Sequence, residues 1–428
     1  MPFAEVILIR GGSVLFDGAL IRADILVRGS KVAAIGPDLP VPEGAQIIDA
    51  ASLVVSAAFA EIHAHLREPG QPEKETIRTG TLAAARGGYS IVCAMPNLDP
   101  VPDCPKNLAV QQAIIDRDAV VPVRPYASIT RGRRGKGLVD LRELNLDCVA
   151  FSDDGSGVQD ETLMATAMRR AARIDAIIAS HCEDNSLLNG GYIHDGRYCA
   201  EHGHKGICSE SEWGPIKRDL ALCEQYGCRY HVCHISTAES VALIRDAKAR
   251  GVRVTCETAP HYLTLCDDDL QEDGRFKMNP PLRSAADRDA ILEGLLDGTI
   301  DCIATDHAPH TAEQKSKGLA GSAMGVVGLE TSFPVLYTKL VRTGILPLER
   351  LLALMSDAPR RIFSLGGPLR VGGTADLVLI DLEDRYRIDP ETFFSKGHST
   401  PFAGMEVYGR VRMTLAGGRI VYDYNQVS

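Results

Sequence analysis

The chain carries 12 cysteines but no Cys-x-x-Cys pair. A disulfide framework belongs to small secreted chains, and 428 residues is not small. The opening Met1-Pro-Phe-Ala-Glu has no basic stretch leading into an apolar core, so no secretory leader is expected. The cysteines are therefore expected to be reduced, small apolar residues. Cys93, Cys148, Cys256 and Cys302 fall inside strand-like runs. No apolar run is long enough to cross a bilayer. Positive charge is not in excess either. The net charge of −10 argues against nucleic acid or an anionic membrane as the main partner. No Gly-x-Gly-x-x-Gly follows a strand-like run, which weighs against a doubly wound dinucleotide-binding sheet. A cytoplasmic protein acting on a small molecule is the expectation left standing.

What is present is an ordinary globular composition, 45% apolar and 24% charged. A chain of this length buries a large core without staples. Residues 1–54 alternate apolar and polar in short runs broken by glycine, and residues 367–428 do the same. Neither piece is comfortable alone. The two ends are expected to pair into one small β-sandwich domain.

Residues 55–366 read differently. Strand-like runs at 53–62, 91–95, 121–127, 148–151, 176–180, 229–232, 252–257 and 300–305 alternate with helical patterns at 76–86, 160–173, 211–225, 237–250 and 286–296. Eight β-α units point to an α/β fold, a (β/α)8 barrel of the TIM type, with chemistry where strands end and the following loops begin.

The first strand ends in His63-Ala-His65. Residues i and i+2 of a strand face the same way, so two imidazoles share one side with Arg67 in the same parity. Imidazole is a common zinc ligand. The other strand ends supply Asn97, Asp153-Asp154, His181, His234, and Asp306 with His310, while the excursion after the seventh reaches Asn279. Singly, each has a plain reading: a hydrogen-bonded histidine, an Asp-Asp-Gly turn, an aspartate capping a helix. Placed together on one mouth, four imidazoles and two aspartates suit one or two divalent ions, zinc before others. Such ions acidify a bound water and polarise a carbonyl, which points to making or breaking an amide-type bond.

These motifs resemble the class I dihydroorotases, cyclic amidohydrolases of the amidohydrolase superfamily. They are His63-Ala-His-Leu-Arg-Glu-Pro-Gly-Gln71, Met95-Pro-Asn97, Ala150-Phe-Ser-Asp-Asp-Gly155, His181-Cys-Glu-Asp184, His234-Ile-Ser-Thr237, Asn279-Pro-Pro-Leu-Arg283, Ala304-Thr-Asp-His-Ala-Pro-His310 and Gly328-Leu-Glu-Thr331, spread over essentially the whole chain. The resemblance implies His63, His65 and Asp306 on one metal, His181 and His234 on a second, and Asp154 between them. Asp154 is preferred to Asp153 because the family spaces this aspartate 27 residues before the strand-five histidine, and 181 − 154 = 27. It further implies Arg67, Asn97, Asn279 and His310 as substrate contacts. The expected reaction is reversible cyclisation of N-carbamoyl-L-aspartate to L-dihydroorotate by a metal-bound hydroxide, with Asp306 as general acid and base. A homodimer and an aspartate transcarbamoylase partner are expected of such a chain.

Two other readings compete: a non-catalytic scaffold for the transcarbamoylase, and a hydantoinase- or allantoinase-like hydrolase. The scaffold typically lacks His-x-His. The hydrolases use a carboxylated lysine where this chain has Phe151-Ser-Asp-Asp. Ala57-Ala58, Glu61 and Ala323 depart from the family's usual Pro-Gly, Asp and Pro. Two segments lie outside these motifs. Residues 191–209 hold His194, Cys199, His202, His204 and Cys208 and read as a solvent-side insertion or contact surface ahead of a third metal site. Residues 311–324 lack periodicity and read equally as a mobile lid or a disordered loop.

Overall fold

A computed structural model describes residues 6–426. The strands Val6–Phe16, Ala19–Arg28 and Lys31–Gly36 form an antiparallel meander. Gln46–Asp49 and Val54–Ala57 lie parallel to the first of these. Val54–Ala57 then pairs antiparallel with Leu377–Arg387, which carries Glu406–Ala416 and Arg419–Asp423 beyond it. The two chain ends thus share one eight-stranded sheet. Its core is made by Ile7, Ile9, Ile25, Val55, Leu377, Leu379 and Leu415. Alternate residues of the central strands face the other way, where Val54, Val378, Ile380 and Val411 pack into the barrel's core.

The run at 53–62, read as one strand, is two. Val54–Ala57 belongs to the end sheet and Phe59–Ala64 to the barrel. Ala58 sits between them, fully buried, with its N–H on Asp376 O at 3.0 Å. The run contains no turn residue because the chain passes directly from one buried environment into another.

The barrel is a closed ring of parallel pairings. Phe59–Ala64, Tyr89–Ala94 and Val123–Pro125 pair in order. Phe151 bridges Ala127 on one side and Ile178 on the other. Ile177–Ser180, Arg229–Val232, Val254–Thr258 and Cys302–Ile303 follow. Ala64 pairs with His307 and closes the ring. The fourth strand, expected over 148–151, is displaced by a residue: Val149 N–H donates to Pro125 O and Ser152 N–H to Ala127 O, while Cys148 N–H closes the preceding turn on Leu144 O. The helices sit as expected and are capped by their own sequence: Thr76 caps Ile77–Arg86, Asp160 caps Glu161–Ala172, Thr237 caps Ala238–Ala249 and Ser284 caps Ala285–Asp297.

Three excursions build a second, smaller core beside the mouth. Ile193 and Cys199 pack against Tyr262, Leu270, Phe276, Met278 and Leu319. The 191–209 segment is therefore a packed collar with its own strand pair, Ile193–His194 with Gly206–Ile207. Among the described residues no metal-sized group of ligand atoms forms within it. His202 and His204 stack on Tyr198 instead. The 311–324 segment forms Ala312–Lys315 and Gly318–Gly321, with Leu319 fully buried.

Candidate active site

Every expected ligand stands at the carboxyl edge of the ring, and three of the site's residues take left-handed backbone there: Arg67, His234 and Asp306, at φ 60°, 31° and 47°. Non-glycine residues avoid that region unless the surroundings impose it. Here it turns side chains from strand ends into one space.

Asp154 is the shared centre. His63 Nε2 lies 3.3 Å from its Oδ1 and His65 Nε2 3.5 Å from its Oδ2. His181 Nδ1 and His234 Nε2 approach Oδ1 at 3.8 and 3.7 Å. Asp306 Oδ1 completes the near side, 3.1 Å from His65 Nε2 and 3.5 Å from His63 Nε2. Donor atoms on a tetrahedral ion with bonds of ~2.0–2.1 Å are roughly 3.3 Å apart. Two metal-sized groups result, His63–His65–Asp154 and Asp154–His181–His234, sharing Asp154. Asp153, the alternative, points away and accepts the backbone N–H groups of Ile129 and Thr130 at 2.8 and 3.0 Å.

The donor set fits a divalent cation by a further observation. His63 Nε2 and Asp154 Oδ1 are buried without a hydrogen-bond partner, a costly arrangement unless something else binds them. The ring tautomers agree. His63 Nδ1 donates to Glu257 Oε1 at 2.6 Å and His65 Nδ1 to Asn97 Oδ1 at 2.8 Å, so each leaves its Nε2 lone pair facing the centre. Burial would raise the pKa of Asp154, but the imidazoles of His63, His234 and His65 overcome it and hold the carboxyl well below its usual range. Asp306 behaves likewise: burial pushes up, and the adjacent His65 with the charges of His63 and His234 pulls further down.

Glu257 was not singled out in the sequence. It ends the seventh strand, accepts from His63 and also from His231 Nε2 at 3.1 Å, and is buried. Its signal was a carboxylate inside an apolar strand run. Glu61 reaches across the closure of the ring. Its carboxylate accepts His63 N–H at 2.8 Å and Thr305 N–H at 3.1 Å, tying strand one to strand eight. Burial pushes its pKa up to about 8.

The expected substrate contacts line the same mouth. Arg67 is 6% exposed and donates from Nε to Pro309 O at 3.2 Å. His310 Nε2 lies 3.4 Å from Arg67 Nη2 and donates to Met324 O at 2.7 Å. Asn97 spends its oxygen on His65 and keeps its amide donors. Asn279 donates to Glu183 Oε1 at 2.8 Å and stands 3.4 Å from His181 Nε2. Gly325 closes the wall at φ 133°, where a Cβ would meet Ala308 O at 2.7 Å, so only glycine fits.

A (β/α)8 barrel with carboxylates and four imidazoles gathered at its mouth suits a metal-dependent hydrolase. A family model described as dihydro-orotase-like matches residues 52–240. A dihydroorotase of Geobacillus sp. (strain WCH70) is 50% identical over 421 residues, 98% of this chain and 99% of that protein. A dihydroorotase of Bacillus cereus (strain AH820) is 47% identical over 410 residues, 95% of this chain and 96% of its own. Among solved structures, the L-hydantoinase (dihydropyrimidinase) of Arthrobacter aurescens superposes with a TM-score of 0.87 at 27% identity, covering 97% of this chain and 96% of that one. The dihydropyrimidinase of Brevibacillus agri NCHU1002, at 24% identity and a TM-score of 0.86, shares the fold. The chain belongs to the dihydroorotase family.

Proposed function

We propose that this chain is a class I dihydroorotase that interconverts N-carbamoyl-L-aspartate and L-dihydroorotate, with Asp306 as its proton carrier. The observation carrying this is the pairing of the shared-carboxylate cluster with an adjacent buried guanidinium, Arg67, that faces the mouth. His63, His65 and Asp306 would hold one ion and His181 and His234 the other, with Asp154 common to both; zinc suits this set best. When bound, the ions supply an acidified water and a polarised carbonyl.

The residues do the rest. Arg67 offers a two-pronged donor to the substrate's α-carboxylate. The Asn97 amide and the His310 ring flank it. Asn279 meets the ring's other side. In hydrolysis, water adds to the ring amide carbonyl and the carbon–nitrogen bond breaks. Asp306 takes the proton from the water and returns it to the departing nitrogen. Cyclisation is the reverse and begins with Asp306 protonated. The ring closes from a dianion to a monoanion and consumes one proton, so lower pH favours cyclisation and higher pH hydrolysis. The pH–rate profiles of the two directions should be displaced accordingly; identical profiles would count against Asp306 as carrier.

A homo-oligomer, a dimer in the simplest case, a cytoplasmic setting and association with aspartate transcarbamoylase follow from the family resemblance. Light scattering of the chain alone and with the transcarbamoylase tests the assembly. The scaffold reading is disfavoured because the ligand atoms converge. The hydantoinase-like reading is disfavoured by the much nearer dihydroorotase relatives.

A further inference from the structure

Residues 131–137 read Arg-Gly-Arg-Arg-Gly-Lys-Gly, four cations in seven positions of a chain whose net charge is −10. The loop follows the third barrel strand at the same rim as the ligands. It is shaped by left-handed positions at Gly132, Arg133, Gly135 and Gly137, with φ between 55° and 69°. Arg131, Arg134 and Lys136 are exposed, and Arg133 is half-buried. Among the described residues, none of the four lies within 4.0 Å of a carboxylate oxygen.

Arg133 turns inward. Its Nη2 donates to the backbone carbonyl of Asp154, and its Nε is buried without a partner. A Cβ built on Gly155 would sit 3.4 Å from Arg133 Nη2 and 3.9 Å from Asn97 Nδ2, so both groups border the same small space. Burial lowers the Arg67 pKa, the charges of Asp306, Asp154 and Glu75 oppose that, and the Arg133 charge adds a smaller repulsion. Two guanidiniums therefore stand near one mouth without a direct ion pair, sharing the more distant charge of Asp154 with the histidines that surround it. A partly desolvated guanidinium without a direct ion pair gains from a charged partner. The arrangement makes sense where an anionic ligand brings the counter-charge.

Resting on the proposed function, we propose that Arg133 is a further substrate-binding residue for the dianionic N-carbamoyl amino acid, and that the surrounding basic loop gathers that dianion at the mouth. The loop's exposed cations act at range through their field and are screened by salt. Arg133 acts by contact, alongside Arg67 and Asn97. The competing account is a tie that merely fastens the third loop to Asp154.

The test uses the full-length, metal-loaded enzyme with Arg133→Gln, Arg133→Lys and a triple Arg131→Gln/Arg134→Gln/Lys136→Gln variant. Loss of a charge-assisted contact predicts that Arg133→Gln raises KM by about tenfold to a hundredfold with kcat within about twofold. The rise should be larger for N-carbamoyl-aspartate, which carries two negative charges, than for dihydroorotate, which carries one. Arg133→Lys should recover part of it. The triple variant, altered only at exposed positions, should flatten the fall of kcat/KM with ionic strength. Calorimetric binding of N-carbamoyl-aspartate is read alongside, which scores the arginine even without turnover. An unchanged KM and affinity in Arg133→Gln, or a loss of kcat with KM kept in both arginine variants, overturns the proposal. Should the arginine variants not fold, an unchanged salt slope in the triple variant overturns it. A wild type that binds the dianion but turns over neither substrate sinks the proposed function instead.

Discussion

His63 and His65 each have two ring nitrogens, and each spends one on being held still. For His63 the holder is Glu257, buried and shared with His231. Ligand-orienting partners of this kind typically contribute 10–100-fold in metal affinity. Glu257→Gln should therefore lower metal affinity by about that range, read by competition with a chelator, while leaving the fold intact. Unchanged affinity would remove Glu257 from the site. His310 carries a second residue-scale prediction. Burial, then the cations Arg67 and Lys74, drive its pKa down to about 3. Its folded value lies below the ordinary one, so the ring is neutral above about pH 3 and gains no charge as pH falls from 8 to 5. KM for dihydroorotate should then show no inflection from His310 in that window. An inflection that disappears in His310→Asn would contradict it. The motif residues were legible because each ends a strand-like run. Glu257 was not, since it acts on a histidine 194 positions away. Nor was Arg133, whose place beside Asp154 and Asn97 is set only by the fold.

At the scale of elements, apolar runs were readable and their partners were not. The 53–62 run changes sheet without any turn residue, because a buried strand reads alike in either sheet. The 311–324 segment lacks periodicity, yet it is pinned by one side chain. Lys315 is 7% exposed, and its ammonium donates to Lys277 O, Ala323 O and Gly325 O at 2.9, 2.8 and 2.7 Å. Burial, reinforced by the Lys277 charge, lowers its pKa to about 7, while the three carbonyls favour the charged form. Gly325 is the wall of the mouth and Met324 O holds His310, so the latch reaches the mouth. Lys315→Met should cost about 2–5 kcal/mol locally. It should speed proteolytic cutting within 311–325 and raise KM more than it lowers kcat. Equal cutting rates in variant and wild type would show that the segment is held by its apolar contacts alone.

At the scale of the molecule, the ring closes where Ala64 meets His307, and His65 of strand one and Asp306 of strand eight become neighbours across 241 residues of sequence. Closure places Asp306 against His63 and His65. The end sheet shares its Val54–Ala57 strand with the run that enters the barrel, so the lead-in to His63 is anchored from both chain ends. That much was visible as eight strand-like runs between two β-patterned ends; the ring's order and its closure were supplied by the family of folds such a pattern allows. This cluster is proposed to hold metal for a proton-carrying Asp306. That role is tested most directly by counting metal ions per chain and following dihydroorotate hydrolysis in the wild type and in Asp306→Asn. The expected result is turnover by the metal-loaded wild type, and a variant that keeps most of its metal but loses that turnover. A fully loaded wild type without turnover, or a variant that hydrolyses dihydroorotate as well as the wild type, would contradict it.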